Sequence, residues 1–317
     1  MNKLPPRVRE LLKAASVLGH EAEPSRLAAV CGRDKETIAE ALDDAVRAGM
    51  LVRVSPARGM GYRFAHDCVR QSAYALLDAA DRSALHRKAG SLLLDGANER
   101  ERDERLYEIV YHLNRGGSEM SAGELATLIR LNREAGLKAK QAYNYAVALR
   151  YMRTADRLLE SASAVRDEEH RFAVKLDRMA LEHLCGDVRA AADLAASLTA
   201  DARNVRDRAR IFIAQMGLHV YYDRPGEAIA AGVELLGSCG IRIPARPGRR
   251  IVQRELLESL QAIHARLPQL EQQGRTEPEA EAQSPAPEDR IVLDVLMATA
   301  SAAGYAYRGL LAVLLSR

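Results

Sequence analysis

The sequence predicts a mainly α-helical protein that has one short β-hairpin near its N-terminus. Its 317 residues are rich in Ala, Leu, Arg and Glu, which are strong helix formers, whereas aromatic residues make up only 4% of the chain and Trp is absent. Most apolar residues recur at helical spacing, and only residues 50–54 and 61–65 read as strands. These three observations exclude an all-β fold.

Composition and charge restrict the class of protein. Hydrophobic residues make up 48% of the chain and charged residues 28%, so the chain can bury a core and has room for about two domains. The 46 Lys and Arg residues nearly balance the 43 Asp and Glu residues, and the net charge is +3. A dedicated nucleic-acid-binding protein usually has a strong basic excess, which this chain lacks.

The cysteines and the apolar runs indicate the compartment. The four cysteines are widely scattered and form no Cys-x-x-Cys pair, which argues against a disulfide scaffold or a zinc ribbon and fits a reducing compartment. The N-terminus lacks the unbroken apolar run of a secretory signal, and charged residues interrupt the most apolar stretch, 291–315. We therefore expect a soluble, cytoplasmic protein that does not contact a membrane.

Residues 1–80 have the predicted element order of a winged helix-turn-helix domain. Apolar residues at helical spacing, together with flanking Pro, Gly and Asp residues, predict three helices, and the two strand-like runs follow them. A short turn joins the two runs and a helix comes directly after, so a hairpin between two helices is expected. The predicted elements are helices that end at Gly19, at Val30 and at Gly49, strands at 50–54 and 61–65, and a helix at 66–77.

Residues 81–270 predict TPR-like helical repeats, that is, an α-solenoid. Gly, Asp or Asn residues separate this segment into short amphipathic helices. Residues 143–148, 186–191 and 223–228 align with one another, and each ends in a small residue where two helices must approach closely. A spacing of about 40 residues lies within the range of irregular helix–turn–helix repeats.

The C-terminal part is predicted to consist of a linker and one more helix. Residues 271–290 contain three prolines and many acidic residues, which predicts a flexible acidic linker. Residues 291–317 predict the start of a further helical repeat. Because this last helix has no cap or stop signal, we expect the chain to be a truncated fragment.

No signature of catalysis or of cofactor binding occurs in the sequence. The phosphate-binding Gly-x-x-x-x-Gly-Lys-Ser/Thr pattern is missing, as are Gly-x-Gly-x-x-Gly, His-Glu-x-x-His and Gly-x-Ser-x-Gly. His183 and Cys185 lie two residues apart on a predicted helix and so point to different sides, which makes them poor joint metal ligands. The sequence therefore predicts a chain that is not an enzyme and holds no metal or cofactor of its own.

The predicted third helix, 35–48, bears on the choice between DNA binding and protein interaction. In a winged helix it would enter the major groove, yet it carries four acidic residues against two basic ones. Repulsion of the phosphate backbone favours an interaction or packing module. Arg53, Arg58 and Arg63 on the hairpin are candidate contacts to DNA or to a partner, so a transcription regulator stays the alternative.

Eight segments, taken in order, carry a family resemblance. They are LPPRVRELLKAASVLG at 4–19, AAVCG at 28–32, AGML at 48–51, YRFAHDCVRQSAY at 62–74, YEIVYHL at 107–113, LNREAGLKA at 131–139, GD at 186–187 and LGSCGIRIP at 236–244. Together they resemble the winged-helix and TPR-like region that follows the ATPase core of bacterial STAND-type, AAA-like signalling ATPases. Such proteins are fused to serine/threonine kinases, sensor histidine kinases or LuxR-type regulators. The resemblance spans most of residues 4–250, and the ATPase core is absent from this chain.

The resemblance implies a nucleotide-sensing role for one short motif. His66 and Asp67 match the position of a Met-His-Asp-like motif at the junction of strand and helix, where Ala65 replaces the methionine. In the family this histidine contacts the β-phosphate of bound ADP and holds the closed, inactive state. ATP or ADP with Mg²⁺ would have to come with an ATPase core, in cis or in trans. Without the resemblance, His66 is interpreted as a helix-entry residue packed under the hairpin.

These inferences predict a non-catalytic regulatory and protein-interaction fragment of a STAND-type signalling ATPase. A protein or peptide ligand on the helical repeats would be coupled, through the winged helix, to a nucleotide-switch core and to kinase or other effector domains. The alternative is a winged-helix transcription regulator with a helical sensor domain.

Overall fold

The computed structural model describes residues 4–54, 61–117, 120–161, 167–221, 224–273, 287–307, 310–311 and 313. This part of the chain is 78% helical, with 15 helices and one small three-stranded sheet, which confirms the prediction of a mainly α protein. The chain divides into two compact units, Met1–Arg166 and Asp167–Arg317. Within the described ranges, no helix is both long and apolar enough to cross a membrane.

The first unit begins with four helices and a three-stranded antiparallel sheet. Its strands lie in the order β1-β3-β2. The elements are α1 (Pro6–Leu18), β1 (Glu21–Ala22), α2 (Pro24–Cys31), α3 (Lys35–Arg47), β2 (Leu51–Val54), β3 (Gly61–Phe64) and α4 (Asp67–Ala75).

Strand β1 was not predicted from the sequence. Its residues pair with β3, Glu21 opposite Arg63 and Ala22 opposite Tyr62. The expectation that only the hairpin residues have strand structure was therefore wrong. Two residues are too few to show the alternation that identifies a strand in a sequence.

Local signals explain where the helices of this segment begin and end. Asp34 caps α3, because its carboxylate accepts a hydrogen bond of 2.8 Å from the backbone N–H of Thr37. Gly32 ends α2 in the left-handed conformation (φ 63°), which glycine adopts without steric cost. The helices and the sheet enclose one core, in which Leu12, Leu42 and Phe64 are buried.

The rest of the first unit is helical. Helix α5 packs against α7, α7 against α8, and α8 against α9. Small residues permit close approach, because a Cβ added to Gly136 on α8 would lie 2.9 Å from Cε of Met152 on α9. The helices are α5 (Ala79–Asp95), α6 (Glu99–Glu104), α7 (Leu106–Arg115), α8 (Ala122–Gln141) and α9 (Tyr145–Ser161).

The second unit contains six helices in its described residues. Helix α10 packs on α11, and α12, α13 and α15 surround a second apolar core that includes Leu236, Val295 and Ala303. The helices are α10 (Glu168–Leu184), α11 (Val188–Asp201), α12 (Val205–Tyr221), α13 (Pro225–Ser238), α14 (Arg249–Gln273) and α15 (Pro287–Ala306). Helical structure thus extends into both ends of the predicted linker at 271–290, and residues 274–286 lie outside the described part.

Two of the aligned sequence segments form turns of the same geometry. Tyr143 and Gly186, which occupy equivalent positions in the alignment, both have a left-handed backbone, with φ of 58° and 89°. Their N–H groups each donate a hydrogen bond of 2.9 Å, to the carbonyl oxygens of Lys140 and His183. The aligned small residues are completely buried in all three segments. They are Ala148, Ala191 and Ala228.

Candidate functional site

His66 lies at the junction that the sequence analysis singled out. It is the residue before α4, with an extended backbone (φ −142°, ψ 147°), and its side chain makes no capping hydrogen bond to the helix. The residue is exposed. The interpretation of His66 as a side chain packed under the hairpin does not fit this exposure, and its imidazole is accessible to a partner.

Asp67 is fixed by residues of its own helix. Its carboxylate accepts hydrogen bonds from Nε of Arg70 (2.9 Å) and from Nε2 of Gln71 (2.6 Å), and Nε2 of His20 lies 4.0 Å away. The bond from Arg70 holds the pKa of Asp67 below its ordinary value. The negative charge also lies in the first turn of α4, where the helix dipole favours it. Asp67 is therefore anionic and orients Arg70.

The candidate arginines of the hairpin are not brought together. In the β2–β3 pair, Val52 lies opposite Arg63 and Arg53 lies opposite Tyr62. Because residues that lie opposite each other share one face of a sheet, Arg53 and Arg63 project from opposite faces. Arg58 lies outside the described residues.

Acidic residues of α3 engage the basic side chains beside it. Arg53 donates to Asp43 over 2.6 Å, and this bond raises the pKa of Arg53. Arg7 binds Glu40 over 3.1 Å and also pairs with Asp44. Asp43, Glu40 and Asp44 on α3 are thus paired with basic side chains of the same unit.

A cleft of about 680 Å³ opens next to the Asp67–Arg70 pair. Arg70, which donates to the Asp67 carboxylate, and His20, whose Nε2 lies 4.0 Å from it, both line this cleft. Its walls come from the end of α1 and from α4, α7 and α9, all within the first unit. Its principal side chains are His20, Arg70, Tyr107, Tyr111, Arg115 and Tyr151.

Aromatic rings form much of one wall of the cleft. Tyr107 on α7 and Tyr151 on α9 are stacked, with ring centroids 5.8 Å apart and planes inclined by 24°. One turn further along α7, the guanidinium of Arg115 lies over the ring of Tyr111 at 4.1 Å from its centroid. Tyr107 and Tyr111 remain 37% and 46% exposed. The wall therefore presents two accessible rings and one guanidinium along a single helix face.

Two buried imidazoles, those of His86 and His112, pack against Tyr111 of this wall. Nδ1 of His86 and Nδ1 of His112 are 3.0 Å apart, and the hydroxyl of Tyr74 lies 3.2 Å from Nε2 of His86. The two histidines are 0% and 2% exposed. Burial, and then the neighbouring positive charge of Arg115, lower the pKa of His112 to about 4, and burial has the same effect on His86. Both rings are therefore neutral at pH 7, and one Nδ1 donates to the other.

The second unit has a smaller cleft of about 410 Å³ that is rich in charged side chains. Arg203 donates to Glu168 over 3.3 Å, and Arg210 donates to Glu169 over 2.7 Å. Two of the carboxylates that line this cleft, Glu168 and Glu169, are thus already held by arginines.

Metal ligands do not converge in the described ranges. Among those residues, no group of three or more His, Cys, Asp or Glu side chains could hold a metal ion. His183 is half-buried on α10, and Cys185 is exposed just after the helix ends.

The residues of the cleft could be predicted from the sequence only in part. Asp67, which lies beside the cleft, was predicted as a site residue. Tyr107, Tyr111 and Arg115 were not, although their spacing of four residues places them on one face of a helix. Only the fold brings Tyr151, from another helix, next to Tyr107.

The chain matches no protein-family model, no curated protein and no solved structure at a significant level.

Proposed function

We propose that this chain is a non-catalytic regulatory and protein-interaction module of a STAND-type signalling ATPase. The observation that carries the proposal is the order of the first seven elements, from α1 to α4, with a sheet order of β1-β3-β2. Helix, strand, two helices, a hairpin and a further helix is the order expected of a winged helix-turn-helix domain. The paired helices that follow, with their repeated turn geometry at Tyr143 and Gly186, support TPR-like repeats.

In this proposal the winged helix transmits a binding event to a nucleotide switch. A protein or peptide ligand would bind the helical repeats, and His66 would contact the β-phosphate of ADP held by an ATPase core. The exposure of His66 and the fixed carboxylate of Asp67 beside it support such a contact. An imidazole can donate a hydrogen bond to a phosphate oxygen. Nucleotide and Mg²⁺ would belong to the core, and this chain would not hydrolyse ATP.

Release of nucleotide from a core tests the proposal. A purified STAND-type ATPase core is loaded with a fluorescent ADP analogue, and its release is followed by stopped-flow fluorescence with this chain added in trans. We expect the chain to slow ADP release, and we expect His66→Ala to lose the effect. His264→Ala, which changes an exposed histidine of the second unit, is the matched control. An equal release rate with and without the chain, or ATP turnover by the purified chain alone, would contradict the proposal.

The alternative function is a transcription regulator with a helical sensor domain. Arg63 is exposed on β3, which favours a contact to DNA, but Arg53 projects from the opposite face and is paired with Asp43. Fluorescence anisotropy with a labelled duplex at two salt concentrations separates the functions. Salt-dependent binding at submicromolar protein that Arg63→Glu abolishes would establish the alternative and would refute the interaction module as the main function.

A further inference from the structure

We propose that the cleft of the first unit binds a small molecule that combines a planar ring with an anionic group. The inference rests on the cleft lined by Tyr107, Tyr111 and Arg115, and it requires nothing of the nucleotide switch proposed above. A volume of about 680 Å³ suits such a ligand, since small-molecule sites typically measure roughly 300–1,000 Å³. The tyrosines carry the argument for the ring of the ligand, and Arg115 carries the argument for its anionic group.

The tyrosines supply the surface for a ring. One face of the Tyr107 ring stacks on Tyr151, with ring centroids 5.8 Å apart, and this contact fixes the orientation of the Tyr107 ring. Tyr107 and Tyr111 each keep a large exposed fraction, although an apolar ring on the surface gains free energy when it is covered. A planar ligand placed against these side chains would extend the stack at little cost in side-chain entropy, because a tyrosine has only two rotatable bonds.

Arg115 supplies the charge for an anion. The other charged groups of the cleft have partners: Glu108 binds Arg26 over 3.3 Å, and Arg70 binds Asp67 over 2.9 Å. Within the described part of the chain, Arg115 forms no ion pair, and only the face of its guanidinium is used, over Tyr111. The N–H groups at the edge of a stacked guanidinium remain free to donate to a carboxylate or a phosphate.

Among the described residues that line the cleft, Glu108 is the one carboxylate, and Arg26 holds it over 3.3 Å. His112, three residues before Arg115 on α7, is neutral and buried. His20, which follows the end of α1, also lines the cleft. Within the described residues, the cleft therefore combines an aromatic surface with a guanidinium that has no carboxylate partner, which is the arrangement that recognises a planar anion.

Isothermal titration calorimetry with three matched probes tests the proposal. The probes are 1-naphthyl phosphate, 1-naphthoate and the uncharged 1-naphthalenemethanol. We expect both anions to bind and the alcohol to bind roughly tenfold more weakly or worse, the size of effect expected when a charge-assisted hydrogen bond is lost. The anion that binds with the higher affinity shows whether the site prefers a phosphate or a carboxylate.

Two variants assign the recognition to the named residues. Arg115→Gln should reduce the affinity for both anions to that for the alcohol and leave the alcohol unchanged, whereas Tyr107→Leu should weaken all three probes about fivefold. Arg100→Gln, at an exposed position of α6 outside the cleft, should change nothing and is the matched control.

Three outcomes would overturn the proposal. These are an absence of binding by all three probes at millimolar concentration, equal affinities for the alcohol and the anions, and anion binding that Arg115→Gln leaves intact. Circular dichroism of each variant shows whether it folds. If Arg115→Gln does not fold, Arg115→Lys takes its place and should weaken the anions, because an ammonium keeps the charge but loses the planar edge.

Discussion

Replacing Tyr143 by glycine should stabilise the first unit, although the change removes a whole aromatic side chain. Tyr143 lies in the turn between α8 and α9, and it is the one non-glycine residue of the described chain with a positive φ (58°). Its side chain is 81% exposed, and its ring meets that of Tyr145 edge-on at 6.4 Å. Removing the side chain therefore sacrifices little packing and relieves a strained backbone.

The expected gain follows from two opposing terms. A left-handed backbone costs a residue with a Cβ about 1–2 kcal/mol. Glycine also has more conformational freedom than tyrosine in the unfolded chain. This freedom stabilises the unfolded state by about 0.5–1 kcal/mol and so offsets part of the gain. The net stabilisation is about 0.5–1 kcal/mol, which corresponds to a rise in Tm of about 1–4 °C for a unit of this size.

Differential scanning calorimetry of the whole chain measures the change. Gly186→Ala is the matched control, because Gly186 occupies the equivalent turn with φ 89° and an added Cβ there would meet no atom within 4 Å. Any loss of stability in this control therefore comes from the backbone alone, and we expect about 1 kcal/mol. The reasoning is refuted if Tyr143→Gly lowers Tm, or if Gly186→Ala leaves Tm unchanged.

Three further perturbations test the packing, the capping and the buried imidazoles. Gly232→Ala should destabilise the second unit by about 1–2 kcal/mol in urea unfolding, because the new Cβ would lie 2.2 Å from Oγ1 of the buried Thr299. Asp34→Ala should cost about 1 kcal/mol by the same measurement, because it removes the N-cap of α3. Lowering the pH from 7 to 5 should cost about 2 kcal/mol for each of His86 and His112. Their folded pKa of about 4 lies below the ordinary 6.5, so the stability present above pH 6.5 is lost as the pH falls towards 4.

Each of these predictions has a control or an outcome that contradicts it. Gly237→Ala, on the same helix as Gly232 and with open space around its Cβ, should not destabilise the chain. Asp34→Asn should retain most of the cap, because an amide oxygen also accepts from the backbone. His264→Gln, at an exposed position, should show the same loss at pH 5 as the unmodified chain. Unfolding free energies that do not change between pH 7 and pH 5 would contradict the neutral, buried state of the imidazole pair.

Much of the helical layout could be predicted because its signals are local. The N-cap Asp34, the left-handed Gly32 and the apolar spacing within α1 each act over a few residues. The buried Ala148 and Ala191 were predicted in the same way, from aligned segments. Strand β1 escaped prediction because its two residues are held by pairing with β3, and no local pattern marks them.

The candidate site could be predicted only in part. His66 and Asp67 are adjacent in the chain and were found, whereas the cleft needs Tyr107 and Tyr151 to meet across two helices. The same limit applied to the hairpin arginines. The sequence offered them together as candidate contacts to DNA or to a partner. The register of β2 and β3 assigns Arg53 and Arg63 to opposite faces, and a register depends on backbone pairing between strands.

The sequence by itself determined the helical class of this protein, the capped ends of its N-terminal helices and the absence of the known phosphate-binding and catalytic motifs, because each of these is encoded within a short stretch of chain. Only the tertiary structure decided which charged side chains form ion pairs with one another and which do not. Arg53 and Arg115 are both arginines on regular elements, yet one is paired with Asp43 and the other lies over Tyr111 without an ion pair in the described residues. That difference arises from packing between elements, and it is what makes the cleft a candidate for binding an anion.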